Sequence, residues 1–275
     1  MRRASQEQQT FTVNSSSSTN MFLDTEDAEI IAEASRLLLQ RDSNDADALY
    51  YQGFASLVLG EYSAALEPLN QALTIRPDFS QAYITRAIVY FNQGLGELAI
   101  GDFDLAIASY TRAIEQKPSD GSLYIARGGA YTFQGRYEEA IADFTQAIAI
   151  NPQDAFAYGT RGDAHSAQGS YEAAIADYNQ AITIDPQHPF AYSSRANAHS
   201  AQGNYEAAIA DYDQAITIAP QDPFAYYNRG LVYRGLERYS DALSDLDRAI
   251  EFGLPEVQPE RDQVEEIIRR GGATR

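Results

Sequence analysis

Two charged ladders recur in this sequence at a spacing that could do chemistry. Arginine stands at Arg86, Arg127, Arg161, Arg195 and Arg229, and aspartate at Asp143, Asp177, Asp211 and Asp245. Such arginines could grip a partner's carboxylates. They could equally pair with the aspartates between helices, because the guanidinium fork matches a carboxylate. Identity repeated along a chain suits scaffold better than recognition, so loss of Arg161 is expected to lower the melting temperature. His165 and His199 are also 34 residues apart. As metal ligands they would have to converge, yet equivalent points on neighbouring helix pairs lie about 10 Å apart, too far to share one ion. They stand where Tyr90, Tyr131 and Tyr233 stand elsewhere and read as packing residues. Gly94-Leu95-Gly96 with Gly101 has the glycines of a dinucleotide loop, but no strand precedes it. Glu138-Glu139 belongs on a solvated helix face. With no cysteine there is no disulfide, thiolate zinc site or thiol nucleophile. The sequence therefore predicts no catalytic residues, no cofactor and no metal site.

Charge narrows the partners. Thirty-nine acidic residues oppose 20 basic ones, a net −19, and Lys117 is the only lysine. Binding phosphates would add repulsion instead of releasing counterions, so nucleic acid is not expected. A partner protein or peptide that is neutral, apolar or basic is. No run approaches the roughly 18 apolar residues a membrane span needs, and no signal-like apolar segment lies near the start. No membrane insertion and a cytoplasmic location are the expectation. Residues 1–22, rich in Gln, Ser, Thr and Asn, read as a disordered polar tail.

The elements that must position these residues follow from a period. Pro118, Pro152, Pro186 and Pro220 fall 34 residues apart, each after a helical pattern that proline would stop. With that proline at position 32, six repeats span 46–79, 80–120, 121–154, 155–188, 189–222 and 223–256. Position 8 is always small (Gly53, Ala87, Gly128, Gly162, Ala196, Gly230), which lets two helix backbones approach. Position 20 is alanine from Ala65 to Ala242, and position 27 from Ala72 to Ala249. Larger residues face them at position 4 (Leu49, Tyr83, Tyr124, Tyr158, Tyr192, Tyr226) and position 24 (Leu69, Tyr110, Phe144, Tyr178, Tyr212, Leu246). Gly60, Gly135, Gly169 and Gly203 suit the left-handed residue that ends a first helix, where Glu237 departs.

Small at 8, 20 and 27, aromatic at 4, 17 and 24, and proline at 32 resembles the tetratricopeptide repeat family. Segments such as QGSYEAAIADYNQAITIDP carry the likeness, which covers residues 46–256, and repeats 155–188 and 189–222 agree at 25 of 34 positions. The resemblance implies an all-α fold, a right-handed superhelical solenoid of antiparallel helix pairs. It also implies a concave groove lined by the first helix of each pair, which usually takes a peptide or protein segment. The family's clamp for acidic chaperone tails uses lysine, arginine and asparagine, a poor match to a chain with one lysine.

Terminal repeats need covers. Residues 23–45 are expected to supply one, a helix over Thr25 to Arg41 with Ile30, Ile31, Leu37, Leu38 and Leu39 as its apolar face and Asp24, Glu26 and Asp27 at its start. Residues 257–275 supply the other, a helix over Pro259 to Arg270 with Val264, Ile267 and Ile268 on one face, stopped by Gly271 and Gly272. The second repeat carries seven extra residues, because Gly96-Glu97-Leu98-Ala99-Ile100 is echoed by residues 102–107. Seven residues are about two turns, so a lengthened helix would keep its apolar face nearly in register.

If positions 2, 5, 9 and 12 face the groove, its first half is apolar: Tyr50, Phe54, Leu57, Ile84, Ile88, Phe91 and Ile125. Repeats four and five then offer Gly159, Asp163 and Ser166, and Ser193, Asn197 and Ser200, and the sixth Tyr227, Leu231 and Arg234. The expected role is a non-enzymatic interaction scaffold or assembly adaptor. Its alternative is the targeting subunit of an enzyme whose catalytic chain is separate. Self-association through the terminal helices is a third possibility.

Overall fold

The computed structural model describes residues 25–272, and every element among them is helical. The expected polar tail lies outside the described residues, as do Leu23 and Asp24 of the expected first cover. The chain forms two compact units, 1–134 and 135–275.

The first unit holds α1 (Thr25–Arg41), α2 (Ala46–Val58), α3 (Tyr62–Ile75), α4 (Ser80–Asn92), α5 (Gly96–Gln116) and α6 (Gly121–Phe133). Asp45 starts α2, its carboxylate accepting from the amides of Asp47 and Ala48 at 3.0 and 3.1 Å. The α2–α3 pair closes on small residues. A Cβ at Gly53 would stand 2.6 Å from Leu69 Cγ, so a side chain there must displace the fully buried leucine. Ala65 and Ala72 supply the matching flat surface on α3. Helix α1 covers the open end, but through only part of the expected apolar face. It buries Ala28 and Ser35, with Leu39 packed on the core, while Ile30 is 61% and Leu37 50% exposed and Leu38 is exposed too. Residues 28, 35 and 39 share one helical face that excludes 30, 37 and 38.

Helix α5 has 21 residues against 13 or 14 in its counterparts, so the insertion lengthens a helix and leaves the turns unchanged. Its register is legible in hydrogen bonds. Arg86 of α4 reaches Asp102 through Nε and Nη2, both at 2.7 Å, and Arg127 of α6 reaches Thr111 at 3.0 Å. On α9 and α11, described below, the residues engaged by the arginines of the flanking helices lie two positions apart; on α5 they lie nine apart. α6 is therefore set seven residues further along α5, about 10 Å at 1.5 Å per residue. Two turns of nearly whole-number winding let Ala99 and Ala106, then Phe103 and Tyr110, serve the two registers on one buried stripe.

The second unit holds α7 (Tyr137–Ile150), α8 (Ala155–Ala167), α9 (Tyr171–Ile184), α10 (Pro189–Ala201), α11 (Tyr205–Ile218), α12 (Pro223–Gly235), α13 (Tyr239–Glu251), a 3-10 turn (Pro255–Val257) and α14 (Gln258–Gly272). Asp154, His188 and Asp222 cap α8, α10 and α12, the latter two followed by proline at the first turn, where no amide hydrogen is needed. Helix α14 includes Gly271 and Gly272, two residues past the expected end at Arg270. It docks through Val264, buried beside Leu254 and Val257, whereas Ile267 and Ile268 remain exposed. The described residues of each unit thus form an all-α solenoid of antiparallel helix pairs.

Candidate functional site

The ladders are scaffold. Arg161 meets Asp177 through Nε at 2.9 Å and Nη2 at 2.6 Å, and Arg195–Asp211 and Arg229–Asp245 repeat the fork. Each of these aspartates is buried, so its carboxylate is engaged inside the helix pair and holds the guanidinium in place. The remaining guanidinium nitrogen ties the helix to the preceding pair, from Arg161 to Thr145 at 3.1 Å and from Arg195 to Asn179 at 2.5 Å. Position 4 completes the setting, with Tyr158 and Tyr192 beneath their arginines at 5.6 Å. In the second repeat the aspartate is Asp102. Counting back from Pro118 puts Ser109 at that place, and only the displaced register identifies Asp102.

The histidines belong to the same layer. His165 Nε2 lies 3.9 Å from Asp177 and His199 Nε2 4.0 Å from Asp211, one histidine to each carboxylate. Among the described residues no group of three or more His, Cys, Asp or Glu is placed to hold a metal.

The groove positions divide by unit. In the first unit Phe54 is 6% and Ile88 3% exposed, and Leu57 and Ile125 are buried as well. These four are packing residues and leave the candidate contact surface. Tyr50 and Ile84 are half-buried, and Phe91 is 52% exposed. Tyr50 packs its ring against Tyr51, Phe54 and Phe79 at 5.1, 6.1 and 5.0 Å, and burial pushes its phenol up to about 12.

On α8 and α10 of the second unit position 9 is polar and open. The exposed Asp163 and Asn197 each accept a hydrogen bond from the tyrosine 15 residues later: Tyr178 to Asp163 at 2.8 Å, and Tyr212 to Asn197. Both tyrosines are fully buried, so position 9 supplies the acceptor that their hydroxyls need. Between α8, α9 and α10 lies a pocket of about 380 Å³ lined by Asp163, Ser166, Tyr171, Tyr178, Ser194 and Asn197 together with Ala167 and Ala201. Asp163 opens into it, while the helices around it displace enough water to hold its carboxyl above the ordinary range. Hydrogen bonds to Tyr178 and Ser194 act in the opposite direction. Tyr227 and Leu231, also expected in the groove, are half-buried on α12.

Ser194, Tyr171 and Tyr178 escaped sequence reasoning as site residues. A signal for Tyr178 was present: a buried tyrosine hydroxyl needs a partner. Position 9 is polar only where position 24 is tyrosine in the ordinary 34-residue register. Opposite Leu69, Phe144 and Leu246 it is Phe54, Gly129 and Leu231.

Comparison with known proteins gives a consistent result. A family profile described as TPR repeat matches residues 162–203 and 197–236, and profiles described as tetratricopeptide repeat match 91–155 and 225–252. A search of curated protein sequences found no significant match. Among solved structures the chain is similar to MamA, at 25% identity and a TM-score of 0.52, over 60% of this chain and 96% of that one. It also resembles a tetratricopeptide repeat protein from Parabacteroides merdae ATCC 43184, at 20% identity and a TM-score of 0.63, covering 90% and 93%. In the APC/C hetero-tetramer Cut9-Hcn1 the corresponding values are 18% and 0.63, over 90% of this chain and 46% of that one.

Proposed function

Because the chain belongs to the tetratricopeptide repeat family, and is on that ground a protein-interaction scaffold, we propose that it holds a segment of a partner protein along its first-helix face and seats a basic side chain of that segment in the α8–α10 pocket. The observation that carries this reading is Asp163, a carboxylate open to the pocket and set among Tyr178, Ser194, Asn197 and Ser166. A lysine or arginine there would find a charge-assisted acceptor and neighbouring hydroxyls and amide for its remaining donors. The net charge of −19 favours approach of such a segment over an acidic one. Half-buried Tyr50, Ile84, Tyr227 and Leu231 and exposed Phe91 would supply apolar contacts elsewhere along it.

The test is photo-crosslinking from Asn197 in native lysate, with Asp163→Lys in the same background. The reading expects a protein adduct that disappears when the charge is reversed. An adduct of equal yield in Asp163→Lys, or none in either protein, would overturn it.

A further inference from the structure

Leu98 and Leu105 stand on the outer face of α5 at 52% and 48% exposure. In the register that α4 imposes on this helix they occupy positions 19 and 26. Elsewhere the second helices carry Ala64, Glu139, Ala173, Ala207 and Asp241 at the first of these, and Gln71, Gln146, Gln180, Gln214 and Arg248 at the second. No packing within the unit demands the two leucines. Gly101 and Ala108 lie between and after them, both exposed, so Leu98, Gly101, Leu105 and Ala108 follow the three-then-four spacing of a helix-docking seam. Large side chains alternate with small ones along it, which admits a second helix at short range.

The flanks of the seam are acidic. From residue 87 to residue 111 the only charged side chains are Glu97, Asp102 and Asp104. Asp102 is neutralised by the fork of Arg86, which also bonds Asn70 of α3 at 2.6 Å and so ties the two outer helices together. Glu97 and Asp104, seven residues apart beside the leucines, have no ion pair among the described residues; Asp104 accepts only a neutral hydrogen bond there, from Gln134 Nε2 at 2.8 Å, so its charge is uncompensated. Glu67, one turn before Asn70 on α3, is exposed.

We propose that this seam docks an amphipathic α-helix of a partner protein, with its apolar face on Leu98 and Leu105 and lysine or arginine flanking it against Glu97 and Asp104. The apolar spacing specifies a helix, and the uncompensated negative charges specify its charge. This surface is separate from the α8–α10 pocket and does not depend on the reading given to it.

The test uses a labelled synthetic helix of about 18 residues, long enough to hold helicity, with leucine and alanine at heptad positions and lysine on either side. A second peptide carries glutamate in place of lysine. Fluorescence anisotropy is measured on the full chain, on L98A/L105Q, on E97Q/D104N and on D163N. L98A/L105Q installs residues that α9 and α11 already tolerate at the same positions, and an unchanged melting temperature verifies its fold. The lysine peptide should bind the parent and lose about tenfold or more in affinity on L98A/L105Q, given the apolar area two leucines supply. It should weaken on E97Q/D104N and be unaffected by D163N, and the glutamate peptide should not bind. Undiminished affinity on L98A/L105Q, loss on D163N, equal binding of the glutamate peptide or no binding of the lysine peptide would each overturn the proposal.

Discussion

Repeats 46–79 and 155–188 are built from the same small residues at positions 8, 20 and 27, yet they finish their first-helix faces in opposite ways. In the first unit Leu69 packs beneath Gly53, and position 9 is the buried Phe54. In the second, Tyr178 packs beneath Gly162, where a Cβ would stand 2.6 Å from its ring, and position 9 is the exposed Asp163. One hydroxyl makes the difference. A tyrosine driven to full burial by its ring must present its O–H to an acceptor, and the acceptor must then sit at the surface. The core residue at position 24 thereby sets the chemistry of the face above it, and two regions with one scaffold acquire an apolar and a polar surface.

If the scaffold is common to both units, breaking it should cost the same in each. Arg86→Ala and Arg161→Ala both strand a buried aspartate, so each should lose about 3 kcal/mol. Arg136→Ala, which removes an exposed pair with Glu139, should lose under about 0.5 kcal/mol. Denaturant melts of the three variants decide this. A cost confined to one unit would show that the ladders are not equivalent. The polar face is the next point of attack. Asp163 must be ionised to hold a cation, and the water displaced by the helices around it raises its pKa. Affinity for a partner's basic segment should therefore be full at neutral pH and fall as pH drops through the raised value, beginning above the ordinary aspartate value of about 3.9. The loss should approach tenfold once the carboxyl is protonated, on the scale of one charged hydrogen bond. An Asp163→Asn chain should show a lower, flat profile, and a wild-type profile equally flat would remove Asp163 from the contact.

A third change acts on the hydroxyl itself. Tyr178→Phe keeps the ring and strands one acceptor that retains access to solvent, so about 1 kcal/mol of stability should be lost. The same loss should vanish in Tyr178→Phe combined with Asp163→Ile, which rebuilds the second unit's face in the manner of Ile88. Chemical melts of the single and double variants form the cycle. An unchanged loss in the double variant would show that the hydroxyl does not act through position 9.

Much of this was legible because a period turns single residues into columns. The small columns gave the helix pairs, and the recurring arginine and aspartate gave their ion pairs before any contact was seen. What failed was what a column cannot carry. Phe54 and Ile88 look like groove residues by position, but their burial depends on the neighbouring pair, as does the burial of Ala28 and Ser35 on α1 in place of Leu37 and Leu38. Asp102 was hidden because α5 keeps two registers at once, and a count from one proline sees only the second. The α8–α10 pocket needed Ser194 from one helix pair and Asp163 from another, a coincidence of stacking that sequence spacing does not encode.

The smallest effect tests a turn where the last repeat departs from the others. The turns after α2, α4, α8 and α10 end on glycines with φ between 74° and 78°, and the turn after α12 reaches the same left-handed region with Glu237 at φ 59°. A side chain in that conformation brings Cβ against the following carbonyl oxygen, a strain of about 1–2 kcal/mol. Glycine removes the strain but gains freedom in the unfolded chain, which offsets it by roughly 0.5–1 kcal/mol. Among the described residues no ion pair holds Glu237, so its carboxylate offers no compensation. Glu237→Gly should therefore stabilise the chain by about 0.5 kcal/mol, and Gly203→Glu at the equivalent turn should destabilise it by a similar amount. Paired thermal melts read both. If Glu237→Gly lowers the midpoint, the turn is held by its side chain and α12 ends by a different means from the other first helices.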